Sequence, residues 1–338
     1  METRRLPADQ AGIIKAAQAL KAGQVVGVPT ETVYGLAADA LNPRAVAAIF
    51  EAKGRPADNP LIVHVLGKAQ AQALAALTPL AISLMDAFWP GPLTLVAPRL
   101  TVVPDIVTAG LPTVALRAPS HPAMRALLLE SGLAIAAPSA NRSGAPSPTA
   151  PEHVLADLSG LIPLVLDGGP CEVGLESTVV DATGALPLVL RPGAVTPEMI
   201  AAVAGDCLVA PSAMRPLKEG EAALSPGLRH RHYAPKAPLT LVKGPPDRVA
   251  AHIRRLCAQE EGVCVLVLEE RLPAYQGLST FSLGQDLGQA AHRLFALLRQ
   301  ADEAGCKRIL AEALPEEGLG LALMNRLARA ADFDIQSV

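Results

Sequence analysis

Up to about residue 205, short apolar runs alternate with polar stretches punctuated by Gly and Pro. Val25-Val26-Gly27-Val28 reads as a short buried strand, and further strands are expected at 61–66, 93–97, 114–117, 133–137, 164–167, 177–181 and 187–191. Apolar positions at helical spacing fill 8–22 and 43–53, with further helices at about 68–87, 121–131, 151–158 and 197–204. The last strands follow each other too closely for helical crossovers, so some of them must pair antiparallel. This part is therefore α/β with a mixed sheet rather than a uniformly doubly wound one.

From Asp206 the periodicity fails, and Pro211, Pro216, Pro226, Gly227, Pro235 and Pro238 mark a linker by composition. After it, strands at 239–242, 263–268 and 308–311 alternate with helices through Cys257, at 287–304 and at 319–330. Strand-helix alternation of this kind implies a small parallel sheet with right-handed crossovers. The expected division is 1–205, a linker over 206–237, and a second α/β domain over 238–338.

Length agrees with two domains, since 338 residues exceed the usual size of one. The net charge is -3, from 29 Lys+Arg against 32 Asp+Glu, so no global basic field favours nucleic acid. No apolar run reaches the roughly 18–20 residues of a membrane span, and the expectation is a soluble chain. Met1 to Asp9 has two arginines but no apolar stretch behind them, so a signal peptide is not expected and cytoplasm is the default. Five cysteines without a Cys-x-x-Cys pair read as reduced, mostly buried thiols.

The chemistry concentrates where strands end. Pro29-Thr30-Glu31-Thr32-Val33-Tyr34-Gly35-Leu36 follows the first apolar strand, at the edge where open α/β sheets place ligands. Lys53-Gly54-Arg55-Pro56 then sets two cations one residue apart in a constrained loop, with Asn59-Pro60 and His64 after it. Arg117, the turn Pro138 to Gly144 with Ser139 and Asn141, Glu176-Ser177-Thr178 and Leu190-Arg191-Pro192-Gly193 also follow strands. Gly-x-x-x-x-Gly-Lys-Ser/Thr and Gly-x-Gly-x-x-Gly are both absent, so a nucleotide would have to be held by such strand-end groups. Singly, each residue has an ordinary reading: Thr30 and Thr32 as turn formers, His64 as a structural histidine, Lys53 and Arg55 as a solvated loop, Ser147 or Thr149 as a helix start, Ser177 as a strand-edge hydroxyl. Trp89 reads as core or cleft wall. Together, three arginines, several hydroxyls and two asparagines at strand ends suit an anionic ligand.

In this order the motifs resemble the YrdC-type threonylcarbamoyl-AMP synthases in their longer, two-domain form. The resemblance rests on the stretches just quoted, on Trp89-Pro90-Gly91-Pro92-Leu93-Thr94, and on Leu116-Arg117-Ala118-Pro119 with His121-Pro122. These fall in order over residues 10–205, and Ser225 to Pro235, with Tyr233, matches the linker of the long form. The resemblance implies a YrdC-like mixed twisted sheet with a concave cleft, followed by a Rossmann-like parallel domain. It implies a nucleotidyltransferase making L-threonylcarbamoyladenylate and pyrophosphate from L-threonine, bicarbonate and ATP with Mg2+. The product would pass to the machinery that modifies tRNA beside the anticodon.

Carried over by motif, Thr32, His64, Arg117 and Ser177 would hold threonine and its carbamoyl group. Arg55, Asn59, Thr113, Ser139, Asn141, Ser147, Arg191 and Tyr233 would contact the nucleotide, and Lys53 with Arg55 would manage phosphate charge in catalysis. Tyr233 and its neighbours would fold over the cleft as a lid. Ala137 stands where many relatives have a threonine, so that contact is lost or made by main chain. Two other readings compete: a module binding tRNA or double-stranded RNA, and carbamoyl transfer to another acceptor. Net charge weighs against the first, and the want of zinc-finger and acylphosphatase-like regions against the second.

Overall fold

The computed structural model describes residues 2–216 and 232–338. Strands β1 to β11 are Arg4–Pro7, Val26–Val28, Gly35–Asp39, Ile62–His64, Leu93–Pro98, Thr113–Arg117, Ile135–Ala136, Leu164–Asp167, Thr178–Asp181, Leu188–Arg191 and Leu208–Val209. They form one sheet in the order β1-β8-β2-β3-β7-β4-β6-β5-β9-β10-β11. The sheet is mixed, with β4 and β6 parallel but β5 and β6 antiparallel. A second sheet holds β12 to β16, Leu239–Lys243, Val263–Val267, Ser279–Ser282, Arg308–Glu312 and Ile335–Ser337. Its order is β14-β13-β15-β12-β16, and every pairing in it is parallel. The expected architecture, a mixed sheet followed by a smaller parallel one, is the one found.

Alternation along the strands decides which face holds the core. Val63, Leu95, Leu116, Val180 and Val189 point to one face and join the main apolar core. Their neighbours Ile62, Val96, Ala115, Val179 and Leu190 form a small separate cluster on the other face. On that second face His64 lies opposite Arg117, and Thr94 lies opposite both Arg117 and Val179. Polar groups thus stand beside an apolar floor on one side of the sheet.

Many prolines open helices, where a missing N–H costs nothing. Pro43, Pro79, Pro122, Pro151, Pro197 and Pro246 each begin one. Pro79 also explains a departure: the helix expected over 68–87 is two, Lys68–Gln72 and Pro79–Phe88. Thr78 caps the second of them by accepting from the Ala81 N–H at 3.0 Å. Trp89 packs partly buried on the main core and donates from Nε1 to the Leu93 carbonyl.

The cysteine expectation is corrected. Cys264 and Cys306 form a disulfide, their Cα atoms 6.0 Å apart; Cys306 lies just before β15, which pairs with the β13 strand that holds Cys264. Of the remaining three, only Cys171 is fully buried. Among the described residues, no helix is long and apolar enough to cross a membrane.

The two sheets are joined by a packed interface. Val33, Leu175 and Tyr233 belong to the apolar cluster built around the helices Leu287–Glu303 and Gly318–Ala330 of the second sheet. Arg299 pairs with Asp157 at 2.7 Å and donates to the Pro146 carbonyl, both partners belonging to the first part. Gly174 (φ +80°) lies against the same helix, where a Cβ would fall 2.5 Å from the His292 Cα and the Ala291 carbonyl oxygen. Gly174→Ala adds overpacking to left-handed backbone strain and should cost roughly 2 kcal/mol or more. Urea unfolding measures this, and a loss under about 0.5 kcal/mol, the range of an ordinary surface substitution, would contradict it.

Candidate active site

The Thr30 to Tyr34 turn is built by its first hydroxyl. Thr30 Oγ1 accepts from the Thr32 and Val33 N–H groups at 3.2 Å and donates to the Val33 carbonyl at 2.6 Å. With that proton committed, the Thr32 hydroxyl donates to Thr30 Oγ1 at 2.8 Å and accepts from Arg117 Nη1 at 2.9 Å. Arg117 closes β6, where its other terminal nitrogen meets Glu31 Oε1 at 2.6 Å in a fully buried ion pair. Burial alone would push the Glu31 carboxyl up, but the Arg117 charge and hydrogen bond outweigh it and hold the group below its ordinary value.

His64 lies across from Arg117 in the parallel register and is 2% exposed. Burial, and then the Arg117 charge, pull its pKa down to about 3, so the ring is neutral at physiological pH. Its Nδ1 has no hydrogen-bond partner.

Gly54 (φ +60°) ends the helix Pro43–Lys53 in the left-handed conformation and turns Arg55 out of it. Arg55 donates to the Asn59 carbonyl at 2.8 Å and stacks over Phe50, while its Nε has no partner. Asn59 is 0% exposed, yet neither atom of its side-chain amide is hydrogen-bonded. A buried unpaired amide is costly, and such groups mark a place where a ligand completes the bonding.

Lys53 departs from expectation. As the last residue of its helix it reaches under the Pro138 to Gly144 turn, donating to the carbonyls of Ser139 and Asn141 at 2.5 and 2.6 Å. Burial and the nearby Arg55 lower its pKa to about 7. Its ammonium therefore braces the turn and is not among the groups lining the cavity described below. Asn141 shares this work, donating to the carbonyls of Arg142 and Ala145.

Beside Arg117, on the neighbouring strand, the Thr94 hydroxyl lies 2.7 Å from that of Ser177. Arg191 donates from Nε and Nη2 to the Ser177 carbonyl at 3.2 and 3.0 Å. The turn after Arg191 is pressed against this segment, so that a Cβ on Gly193 would stand 2.5 Å from the Thr178 nitrogen and 2.8 Å from the Glu176 carbonyl oxygen. Only glycine permits that approach. Glu176 itself accepts hydrogen bonds from Ser147 and from Arg326.

These groups meet around one cavity. Its lining includes Thr32, Arg55, His64, Arg117, Ser139, Ser177, Arg191 and Tyr233, eight of the thirteen residues expected from sequence, with Ala137 among the walls. Lys53, Asn59, Thr113, Asn141 and Ser147 are not in the lining. Asn59 lies just behind it through Arg55, while Ser147 is tied to Glu176. Thr113 begins β6 at the end opposite Arg117, on the side where the chain enters β4 after Asn59. Of the linker motif, Arg229, His230 and Arg231 lie outside the described residues. His232 and Tyr233 form one wall, and the Ala234 N–H donates to the Gly144 carbonyl. Tyr233 (φ +64°) packs its ring 5.3 Å from Phe295 and 5.7 Å from the Arg326 guanidinium.

Sequence reasoning did not assign roles to Glu31, Glu176 or Arg326. The two carboxylates stand inside the quoted motifs, and acids directly beside the Thr30, Thr32 and Ser177 hydroxyls are a usable signal. Arg326 belongs to no motif, and its one trace is an Asn325-Arg326 pair inside an otherwise apolar stretch of helix. Among the described residues, no group of three or more His, Cys, Asp or Glu is placed to hold a metal ion.

Comparison with known proteins agrees with this geometry. A Sua5/YciO/YrdC family model described as telomere recombination matches residues 18–193, and one described as threonylcarbamoyl-AMP synthase, C-terminal domain, matches 195–332. A Pyrococcus abyssi protein named threonylcarbamoyl-AMP synthase is 46% identical over 326 residues, covering 96% of this chain and 95% of that one. A Bacillus subtilis protein of the same name is 46% identical over 333 residues, covering 97% and 95%. The crystal structure of P. abyssi Sua5 complexed with L-threonine superposes with a TM-score of 0.93 at 44% identity, covering 100% of both chains. Escherichia coli YciO, at 24% identity and a TM-score of 0.51 over 57% of this chain, shares the fold of the first part. The chain belongs to the Sua5/YciO/YrdC family, in the two-domain form whose second part is a threonylcarbamoyl-AMP synthase C-terminal domain.

Proposed function

We propose that this chain condenses L-threonine, bicarbonate and ATP into L-threonylcarbamoyladenylate and pyrophosphate, the activated intermediate for threonylcarbamoyladenosine in tRNA. One observation carries the reading: a single cavity lined by Thr32, Arg55, His64, Arg117, Ser139, Ser177 and Arg191. It occurs in a chain whose near full-length relatives bear the name of that synthase. The RNA-binding alternative calls for an open basic track, and an enclosed cavity does not favour it.

Threonine and its carbamoyl group are assigned to Thr32, His64, Arg117 and Ser177. Arg55, Asn59, Thr113, Ser139, Arg191 and Tyr233 are assigned to the nucleotide, with Asn141 and Ser147 acting through the turns they hold. The carbamate formed from the threonine amine and bicarbonate is an anionic oxygen nucleophile. It attacks the α-phosphorus, an O–P bond forms, and the bond to the bridging oxygen of the β-phosphate breaks to release pyrophosphate. No general base of unusual strength and no covalent enzyme intermediate are needed. The difficulty is bringing two anions together, and Arg55, Arg117 and Arg191 lower that repulsion in a site partly withdrawn from water. A neutral His64 can accept or donate a hydrogen bond beside them without adding charge. Magnesium would arrive bound to ATP, and no step here is routed through an ion held by the chain.

The cavity measures about 60 Å³, well under the roughly 300 Å³ or more usual for bound cofactors and drug-sized ligands. The reading therefore assigns the His232–Tyr233 wall as the lid over the nucleotide, part of the proposed 206–237 linker between domains 1–205 and 238–338.

Pyrophosphate release should require threonine, bicarbonate and ATP together, and release that is unchanged without threonine would overturn the assignment. Asn59→Ala should raise the KM for ATP about tenfold, the worth of a hydrogen bond to a charged ligand, while a KM equal to wild type would remove Asn59 from the nucleotide site. His64 adds a pH signature. Because its folded pKa of about 3 is below the ordinary 6.5, the unfolded chain binds more protons between those values, so stability is fully present above pH 6.5 and is lost on acidification. Between pH 7.5 and 5 this group should remove about 2 kcal/mol from wild type. Urea unfolding of His64→Gln should show a correspondingly smaller loss over the same interval, and equal losses in the two proteins would refute the assignment of a neutral buried imidazole.

A further inference from the structure

Arg326 sits in the helix Gly318–Ala330 of the second domain and is fully buried, but its guanidinium serves the first. From Nε it donates to Glu176 Oε2 at 2.8 Å, and from Nη2 to the Glu176 carbonyl at 3.2 Å. From Nη1 it donates to the Pro192 carbonyl at 2.7 Å. Glu176 immediately precedes Ser177, and Pro192 immediately follows Arg191. One planar group therefore grips both turns that carry cavity residues across the cleft.

The helix is itself seated on the first part. Asn325 donates to the Ala213 carbonyl, and Arg329 donates to the Ser212 carbonyl at 2.9 Å. Arg326 also lies 5.7 Å from the Tyr233 ring centre, beneath the wall of the cavity.

Glu176 lines the cavity that the proposed reaction fills with anions. Its carboxylate there would repel a triphosphate and would compete for Arg191, which already lies close enough to favour the ionised form. Breaking a buried ion pair by removing one partner leaves the other charge uncompensated. Arg326 meets this from behind the wall, on the side away from the ligand.

We infer that Arg326 is a positioning residue: it neutralises Glu176 and clamps the Glu176 and Pro192 turns, so that Arg191 remains directed at the nucleotide and Ser177 at the threonine carbamate. The second domain is then an integral part of the nucleotide site. This rests on the nucleotide reading proposed above, and the test separates the two.

The test is a double-mutant cycle on the full chain, with binding of α,β-methylene-ATP followed by calorimetry, KM and kcat measured alongside, and thermal unfolding to verify that each protein is folded. Arg326→Gln should weaken analogue binding about tenfold or more, a coupling within the range seen for contacting residues. Glu176→Gln combined with Arg326→Gln should return to within about threefold of Glu176→Gln alone, because the uncompensated charge is gone. Arg326→Lys, which keeps the charge, should bind closer to wild type than Arg326→Gln. If Arg326→Gln alone does not fold, the comparison of the double variant with Glu176→Gln decides: equal binding supports the inference, and a further tenfold loss overturns it. Losses that simply add in a protein whose wild type binds the analogue would overturn this inference alone. Failure of the wild-type protein to bind the analogue at all would overturn the functional reading, and this inference with it.

Discussion

The ion pair between Glu176 and Arg326 is the contact on which the arrangement of the site depends. Its partners are 150 residues apart and both withdrawn from water, in a setting where either charge alone would be strongly unfavourable. The geometry answers with saturation: Ser147 takes the other carboxylate oxygen, and Pro192 and Asn325 take further guanidinium protons. A pair this fully bonded is an alignment device more than a source of net stability. It fixes two turns of one domain on a helix of the other, and Ser177 and Arg191 inherit their directions from it.

The same electrostatic constraint shapes the other cations, each resolved differently. Arg117 is paired with Glu31 and bonded to Thr32, so its charge is largely balanced before any ligand arrives. Arg55 has a main-chain partner at Asn59 and an unbonded Nε, next to an asparagine amide with neither atom satisfied. Polar groups left unpaired inside a protein cost about 1–3 kcal/mol each. They are tolerable where a ligand completes them, and His64, opposite Arg117, carries another in its Nδ1.

How much of this the sequence reveals follows from the range of the interaction. Strands rich in β-branched residues, such as Thr178–Asp181 and Val263–Val267, are legible from their own composition. Gly35–Asp39 is not, because Gly-Leu-Ala-Ala-Asp carries no strand propensity and is extended only by pairing with β2 and β7. The site was readable where its residues follow one another along a turn, as in Thr30 to Tyr34 or Ser177 to Asp181. Two cations one residue apart in a Gly-Pro loop suit a polyphosphate, but that Lys53 is held by carbonyls of residues 139 and 141 is set by distant segments and leaves no local trace. Arg326 and the Cys264–Cys306 disulfide are set by packing of distant segments, and no local pattern announces either.

Tyr233 shows what this dependence means for access. It belongs at once to the cavity wall and to the apolar cluster of the second domain. Burial of an aromatic ring of this kind is worth roughly 1.5–3 kcal/mol. Its backbone, at φ +64° for a bulky residue, costs on the order of 1–3 kcal/mol in the opposite direction. The two terms are of similar size, so burial of the ring offsets the strain of its backbone, and the Phe295 and Arg326 contacts add to it. Because Arg326 contacts both the Tyr233 ring and the Glu176 turn, the wall and the turn rest on the same side chain. The cavity wall and the turn beside it are therefore held by one residue of the second domain.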